Sequence, residues 1–272
     1  MDIAAKDIAR DLMLVRQRSP LVHNITNYVA MNTTANALLA VGASPVMAHA
    51  PEEVEDMVAI ASALVINIGT LSEPWVDSMS RAARRAKQKG IPIIYDPVGA
   101  GATPYRTRTF HALLQAASPS VIRGNPSEII AAAGAISRTK GVDSSDAAES
   151  ALAGARSLGR QCDCVVCVSG ATDFVVGRDR MALVRNGHAL MPKVTGLGCT
   201  ATALCGAFAA VDADPFKATV AAMAVMSIAG EIAAEKSAGP GSLQLHFLDA
   251  LYNLDAKEIA RRLKLEEAPL PG

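Results

Sequence analysis

The chain has 272 residues, half of them apolar and only 4% aromatic, and its 26 basic side chains balance 26 acidic ones. Without a basic excess, or any interleaving of basic and aromatic residues, it lacks the footprint of a nucleic-acid binder and its expected partner is a small molecule. Its five cysteines, an odd number, do not form a secreted disulfide framework and point to reduced thiols.

Residues 1 to 18 mix charges through an amphipathic pattern with no uninterrupted apolar core, which reads as a helix and not as a signal peptide. After the polar segment HNITN, Asn32 to Val41 reads as a second helix. From there apolar runs alternate with helices. SALVINIGT (62 to 70) is a strand ended by glycine, WVDSMSRAARRAKQKG (75 to 90) a helix capped by Gly90, and IPIIYDPVGAG (91 to 101) a strand and loop. HALLQAA reads as a helix, SVIRGN (120 to 125) as a strand, SEIIAAAGA as a helix and DAAESALAGARSLGRQ (146 to 161) as another. CDCVVCVSG (162 to 170) reads as a buried strand holding Cys162, Cys164 and Cys167 on its two faces, and residues 171 to 188 as a hairpin around GRD. Residues 216 to 235 and 246 to 263 read as two further helices divided by AGPGS. The apolar stretch Ala218 to Gly230 is shorter than the roughly 20 residues a bilayer requires, so a cytoplasmic protein is expected. No linker, low-complexity segment or repeat interrupts the βαβ rhythm. Residues 1 to 272 are therefore expected to form one α/β domain with a mostly parallel sheet.

In such a sheet, ligands bind beyond the carboxyl ends of the strands. Those ends are NIGT, DPVGAG, RGNPSE, VSG and TGLGCT, and several glycine-bearing turns on one edge suit a phosphorylated ligand. G-L-G-C-T-A, residues 196 to 201, formally matches a dinucleotide fingerprint, but two helices follow it and no strand is expected after them, which disfavours a Rossmann unit. What remains is an anion hole formed by the backbone amides of Gly196 to Cys199, Gly198 among them. Cys199 stands at a helix start, where the dipole is expected to lower its thiol pKa; it is either a small buried residue, a nucleophile or a general base. No partner can be chosen among His23, His49, His111, His188 and His246 from sequence. Asp96 either caps a turn or serves Mg²⁺, and Glu128 either closes a capping box with Asn125 or orders the waters of a magnesium ion. Arg123 in an apolar strand calls for an anionic partner, and phosphate suits it.

HNITNYVAMN, GASPVMAHAPEE, INIGTL, YDPVGAG, VIRGNPSEI and KVTGLGCTATAL occur in that order over nearly the whole chain. Together they closely resemble the hydroxyethylthiazole kinases of thiamine biosynthesis. The resemblance implies a ribokinase-like fold, ATP and Mg²⁺ as cofactors, and phosphorylation of the alcohol of 4-methyl-5-(2-hydroxyethyl)thiazole by a homotrimer with sites between subunits. It implies thiazole contacts from Met47, Gly196 and Asn27, ATP contacts from Arg123, Ser169 and Gly198, and magnesium at Asp96 and Glu128. Ribokinase relatives usually place an aspartate base where Cys199 stands. Ser169 replaces a frequent threonine, and Leu197 departs from a turn that often reads T-G-T-G-C. A cysteine hydrolase and a non-catalytic nucleotide binder are the competing classes; ATP dependence and acceptor turnover separate them from a kinase.

Overall fold

Successive side chains in the strands point to opposite faces, and each face is covered by its own helices. The computed structural model describes residues 3–134 and 144–270. The expected N-terminal helix is present as α1 (Ala5–Arg18), Met1 and Asp2 of that reading lying outside the described residues. It is followed by β1 (Leu21–Ile25), α2 (Met31–Val41), β2 (Ser44–Val46), α3 (Val54–Ile60), β3 (Ala63–Asn67), α4 (Glu73–Lys89) and β4 (Ile93–Asp96). Then come α5 (Pro104–Ala116), β5 (Val121–Gly124), α6 (Pro126–Gly134), α7 (Ser144–Cys162), β6 (Val165–Val168), β7 (Asp173–Val176) and β8 (Arg180–Val184). The chain closes with α8 (Leu197–Ala209), α9 (Pro215–Glu235), α10 (Pro240–Asn253), α11 (Ala256–Arg262) and β9 (Leu265–Pro269). Ala135, the last residue of the expected SEIIAAAGA helix, lies outside the described residues.

The strands form one sheet in the order β2-β1-β3-β4-β5-β6-β7-β8-β9. Pairing is parallel from β2 through β6 and antiparallel from β6 to β9, so the sheet is mostly parallel, as expected. The expected hairpin around GRD is the β7–β8 pair. On one face Val22, Val65, Ile94 and Val121 pack with α1, α2, α8, α9 and α10; on the other Leu64, Ile66, Tyr95 and Ile122 pack with α3 to α7.

Several elements depart from the sequence reading. β1 carries His23 and Asn24, both buried, in what the sequence reading treats only as a polar segment. They fit because His23 Nε2 donates to the Ala48 carbonyl at 2.7 Å and Asn24 Nδ2 to the Val22 carbonyl at 2.9 Å. Cys162 ends α7 and Cys164 lies in the turn before β6, so only Cys167 belongs to that strand. The expected 246 to 263 helix is two helices: Pro240 starts α10 at a position where its missing N–H costs nothing, and Asp255 caps α11 by accepting from Glu258 N. β9 does come after the TGLGCT turn and its helices, but as an antiparallel edge, so it builds no Rossmann unit. Its LEEAP sequence sets a glutamate on each side and ends in proline, with Glu266 paired to Arg185 at 2.8 Å, so no apolar alternation marks it as a strand. The backbone amide of Ile3 donates to Glu267, tying the region before α1 to this last strand.

The apolar stretch Ala218 to Gly230 sits inside the 21-residue α9, long enough to cross a membrane by length and composition. Its surface is instead used within the fold, 83% of its most apolar window being buried by the helices and strands around it. Small side chains on α8 allow an equally close approach to the sheet. A Cβ at Gly206 would stand 2.7 Å from Val65 Cγ2 and 3.2 Å from Val22 Cγ1, both stiff at χ1. Gly206→Ala is therefore expected to destabilise by about 1–2 kcal/mol, overpacking outweighing the gain in helix propensity, as a lowered urea midpoint will show.

Candidate functional site

The strand order changes direction between β1 and β3, where the chain leaves β1 for the β2 side and later returns to β3. Ligands of open α/β sheets bind beyond the carboxyl ends at such a switch. Here that place is occupied by a chain of buried polar side chains. Asn27, just past β1, donates from Nδ2 to Asn67 Oδ1 at 2.9 Å and to Cys199 Sγ at 3.2 Å. Asn67, the last residue of β3, donates in turn to Asp96 Oδ2 at 2.8 Å, and Thr202 Oγ1 on α8 donates to the same oxygen at 2.7 Å. Asp96 ends β4 and is 1% exposed; its other carboxylate oxygen, Oδ1, is buried without a partner. Burial is the main reason its pKa rises to about 6, against the opposing charge of Arg123.

The turn before α8 forms the next part of the edge. Gly196 is the N-cap at φ 83°, a conformation that favours glycine, and no side chain caps the first turn. Leu197 points into the core, 4% exposed, so the departure at this position puts no side chain at the edge. Gly198 leaves space for Arg123: a Cβ there would lie 3.0 Å from Arg123 Nη1. Arg123 donates to Ser169 Oγ at 2.5 Å, and Ser169 donates onward to the Gly124 carbonyl at 3.3 Å. Burial is the largest influence and opposes the Arg123 charge, yet Asp96, Asp173 and the neighbouring thiols together outweigh it and the pKa rises. Its Nε has no partner, so a cation is held at the sheet edge with hydrogen-bonding capacity to spare.

Glu128 closes a capping box, as one of its two readings expected. Its Oε2 accepts from Asn125 N at 2.9 Å while Asn125 Oδ1 accepts from Glu128 N at 2.9 Å. The other oxygen, Oε1, accepts from Gly99 N in the DPVGAG loop at 3.0 Å. Its charge also reaches Asp96, whose pKa it raises. Among the described residues no group of three or more His, Cys, Asp or Glu side chains could cage a metal ion. One carboxylate with an unpartnered oxygen and a second nearby do fit magnesium, which keeps several waters and takes its other ligands from phosphates.

Cys199 departs from expectation in one respect. Burial, then the Asp96 carboxylate, pushes its thiol up to about 11, overturning the lowered pKa expected at a helix start. Desolvation and a like charge outweigh the helix dipole here. No histidine is among the groups that perturb it; they are Asp96, Asn27, Asn67 and Arg123. Met47 follows β2 at the same edge, half-buried, and its carbonyl meets His49 Nδ1 at 3.1 Å. It makes no hydrogen bond to the Asn27–Asp96 chain. Beside it, Trp75 packs against His49 and Tyr28 at centroid distances of 4.4 and 4.8 Å. Asn67 and Thr202 escaped the sequence reading. The signal for Asn67 was a lone amide inside the apolar VINIG run, a costly residue unless it is hydrogen-bonded.

A profile of the hydroxyethylthiazole kinase family matches residues 12–257 of the chain. Among curated relatives, a hydroxyethylthiazole kinase of Syntrophus aciditrophicus (strain SB) is 59% identical over 266 residues, covering 97% of this chain and 98% of that protein. Among solved structures, a hydroxyethylthiazole kinase protein of Pyrococcus horikoshii OT3 superposes with a TM-score of 0.90 at 46% identity, covering 97% of this chain and 99% of its own. The pyridoxal kinase of Staphylococcus aureus, in complex with AMP-PCP and pyridoxal, shares the fold at a TM-score of 0.65 and 14% identity over 92% of this chain and 99% of its own.

The raised pKa of Asp96 makes a stability prediction. Its folded value of about 6 lies above the ordinary 3.8, so the native state binds the proton more tightly than the unfolded chain. The stability this contributes is present below the unfolded value and is lost as pH rises through the folded one. Asp96→Asn, whose amide oxygen can still accept from Asn67 and Thr202, is expected to gain on the wild type by roughly 1–3 kcal/mol as the pH rises from about 4 to about 7. Urea midpoints across that range test it, and a gap that does not change with pH contradicts it.

Proposed function

This chain belongs to the hydroxyethylthiazole kinase family, and we propose that its phosphotransfer to the thiazole alcohol uses Mg²⁺ and ATP at the β1/β3 edge. It is a phosphotransferase of ribokinase-like fold that phosphorylates the hydroxyethyl group of 4-methyl-5-(2-hydroxyethyl)thiazole for thiamine synthesis. The observation that carries our assignment of roles is the unbroken hydrogen-bonded path Cys199–Asn27–Asn67–Asp96, which joins an acceptor side to a phosphate side.

In this reading Met47, Asn27 and the Gly196 amide hold the thiazole, and Arg123, Ser169 and Gly198 hold the nucleotide. The half-buried thioether of Met47 suits an uncharged heterocycle better than a sugar. AMP-PCP in the fold-related pyridoxal kinase supports ATP as donor. Asp96 and Glu128 are the residues that would hold magnesium, largely through water, and the ion would neutralise charge on the transferring phosphoryl group. The fixed Arg123 guanidinium and the uncapped amides of α8 face the same charge without reorganising.

The reaction forms one O–P bond to the thiazole alcohol, breaks the β–γ O–P bond of ATP, releases ADP and leaves one proton to be removed. In a loose transition state the alcohol loses that proton late, so positioning outweighs base strength. Cys199 accepts the hydrogen bond of the alcohol through sulfur. As a thiol it is a weak base, and only its scarce thiolate can retain the proton. A thiol held up to about 11 also disfavours the hydrolase reading, in which the cysteine would be a ready nucleophile.

We read residues 1 to 272 as one catalytic domain of a cytoplasmic homotrimer. Tyr28 and Val29, exposed by 65% and 60%, follow Asn27 in the chain, and with Leu39 of α2, exposed by 58%, they offer apolar surface a neighbouring subunit would cover.

The direct test is ADP release with Mg²⁺ and ATP, comparing hydroxyethylthiazole with hydroxymethylpyrimidine, a sugar and no acceptor. Thiazole-dependent ADP with a phosphorylated thiazole product is expected; equal release without acceptor refutes the reading. For the base, Cys199→Ala is expected to lower turnover by roughly tenfold to a hundredfold without abolishing it. Cys199→Asp is expected to retain or raise turnover at neutral pH, since a carboxylate also accepts from Asn27 and is a stronger base than a thiol. A folded but inactive Asp variant counts against the role.

A further inference from the structure

Arg106, near the start of α5, reaches back across the site edge and binds three backbone carbonyls. Its Nη1 donates to Ile68 O and to Val98 O, both at 2.8 Å, and its Nη2 to Gly69 O at 2.7 Å. Two of these belong to the loop after β3 and one to the loop after β4. Among the described residues it forms no ion pair, so the carbonyl dipoles are its partners. We infer that Arg106 is a positioning residue for phosphoryl transfer, its guanidinium fixing the loops after β3 and β4 relative to each other.

Each loop bears directly on site residues. In the first, Gly69 N donates to Asn67 Oδ1 at 2.9 Å, and a Cβ on Gly69 would lie 2.7 Å from Asn27 Nδ2, so this backbone is the wall against which Asn27 rests. In the second, Gly99 N is the donor to Glu128 Oε1. Gly99 itself stands at φ 70°, and a Cβ there would come within 3.2 Å of Arg106 Cδ and Nη1. The loop is shaped to receive the arginine. Thr103 Oγ1 accepts from Arg106 N at 3.3 Å and Thr107 Oγ1 from Gly101 N at 3.0 Å, which anchors the start of α5 to the same loop. Through these contacts one guanidinium bears on the acceptor side, at Asn27, and on the magnesium side, at Glu128. Lysine has neither the planar fork nor the reach to hold three carbonyls on two loops, so charge alone cannot replace it.

The inference rests on the kinase reading for its kinetic consequence but not for its structural one, and the test separates them. Arg106→Ala and Arg106→Lys are both expected to lower kcat roughly tenfold or more, as small misplacements do, and to raise the Mg²⁺ concentration giving half-maximal rate several-fold. Guanidinium ion is expected to restore part of the Ala variant's rate, and methylammonium none. Amide hydrogen exchange is expected to quicken in residues 68–70 and 97–101 while strands β3 and β4 stay protected. A Lys variant matching the wild type, or an Ala variant with unchanged kcat and Mg²⁺ dependence, overturns the proposal. So does an exchange increase spread through the whole sheet, which marks a merely structural residue. If the wild type phosphorylates no thiazole, the functional reading fails, and local exchange at the two loops still decides whether the clamp exists.

Discussion

The carboxylate of Asp96 is the constraint around which the site is arranged. It lies at the end of a central strand with no access to water, and a bare charge in that position is costly. Asn67 and Thr202 satisfy one oxygen, and Arg123 supplies the opposing charge. These partners in turn dictate the rest of the site. Asn67 has both ends engaged, so it orients Asn27, and Asn27 orients the Cys199 sulfur. Arg123 passes close over the first turn of α8, so a side chain at residue 198 would press on its guanidinium and glycine fits there. The second oxygen of Asp96 is left without a partner, and a site that retains an unsatisfied buried acceptor is one prepared for an incoming cation or water.

Much of this arrangement is legible in the sequence. Strands β3 to β6 are legible because they are buried on both faces and read as apolar runs. The strand-end motifs are legible because the chain must turn there, and glycine and proline mark turns. Of the expected site residues, Asn27, Asp96, Arg123, Ser169, Gly196, Gly198 and Cys199 lie together by direct contact, shared hydrogen bonds or adjacency, and Glu128 joins through the Gly99 loop.

The features that were not legible have a common cause. Sequence patterns report burial and turns, whereas hydrogen bonds between residues distant in the chain have no local signature. β1 was hidden because His23 and Asn24 look like loop residues until their carbonyl partners are known. The helix start at Cys199 is visible in sequence, whereas the burial of its thiol and the neighbouring Asp96, 103 residues away, which together raise its pKa, are not. Arg106 obeys the same rule: in sequence it is one more cation at a helix start, and only the folded loops show three carbonyls converging on it.

The tie between Ile3 and Glu267 bears on how the molecule is made. α1 packs against α9 and α11, and β9 completes the sheet beside β8, so the first helix finds its full complement only when the last strand has been synthesised. The β1–β6 half can form its parallel pairs earlier, because all of its strands precede α8 in the chain. On the ribosome, α1 must therefore wait with an apolar face, Ile8, Leu12 and Val15, that its earlier neighbours α2 and α8 cover only in part. Completion of this fold is a late event, set by contacts between elements far apart in sequence and not by the chemistry at its centre.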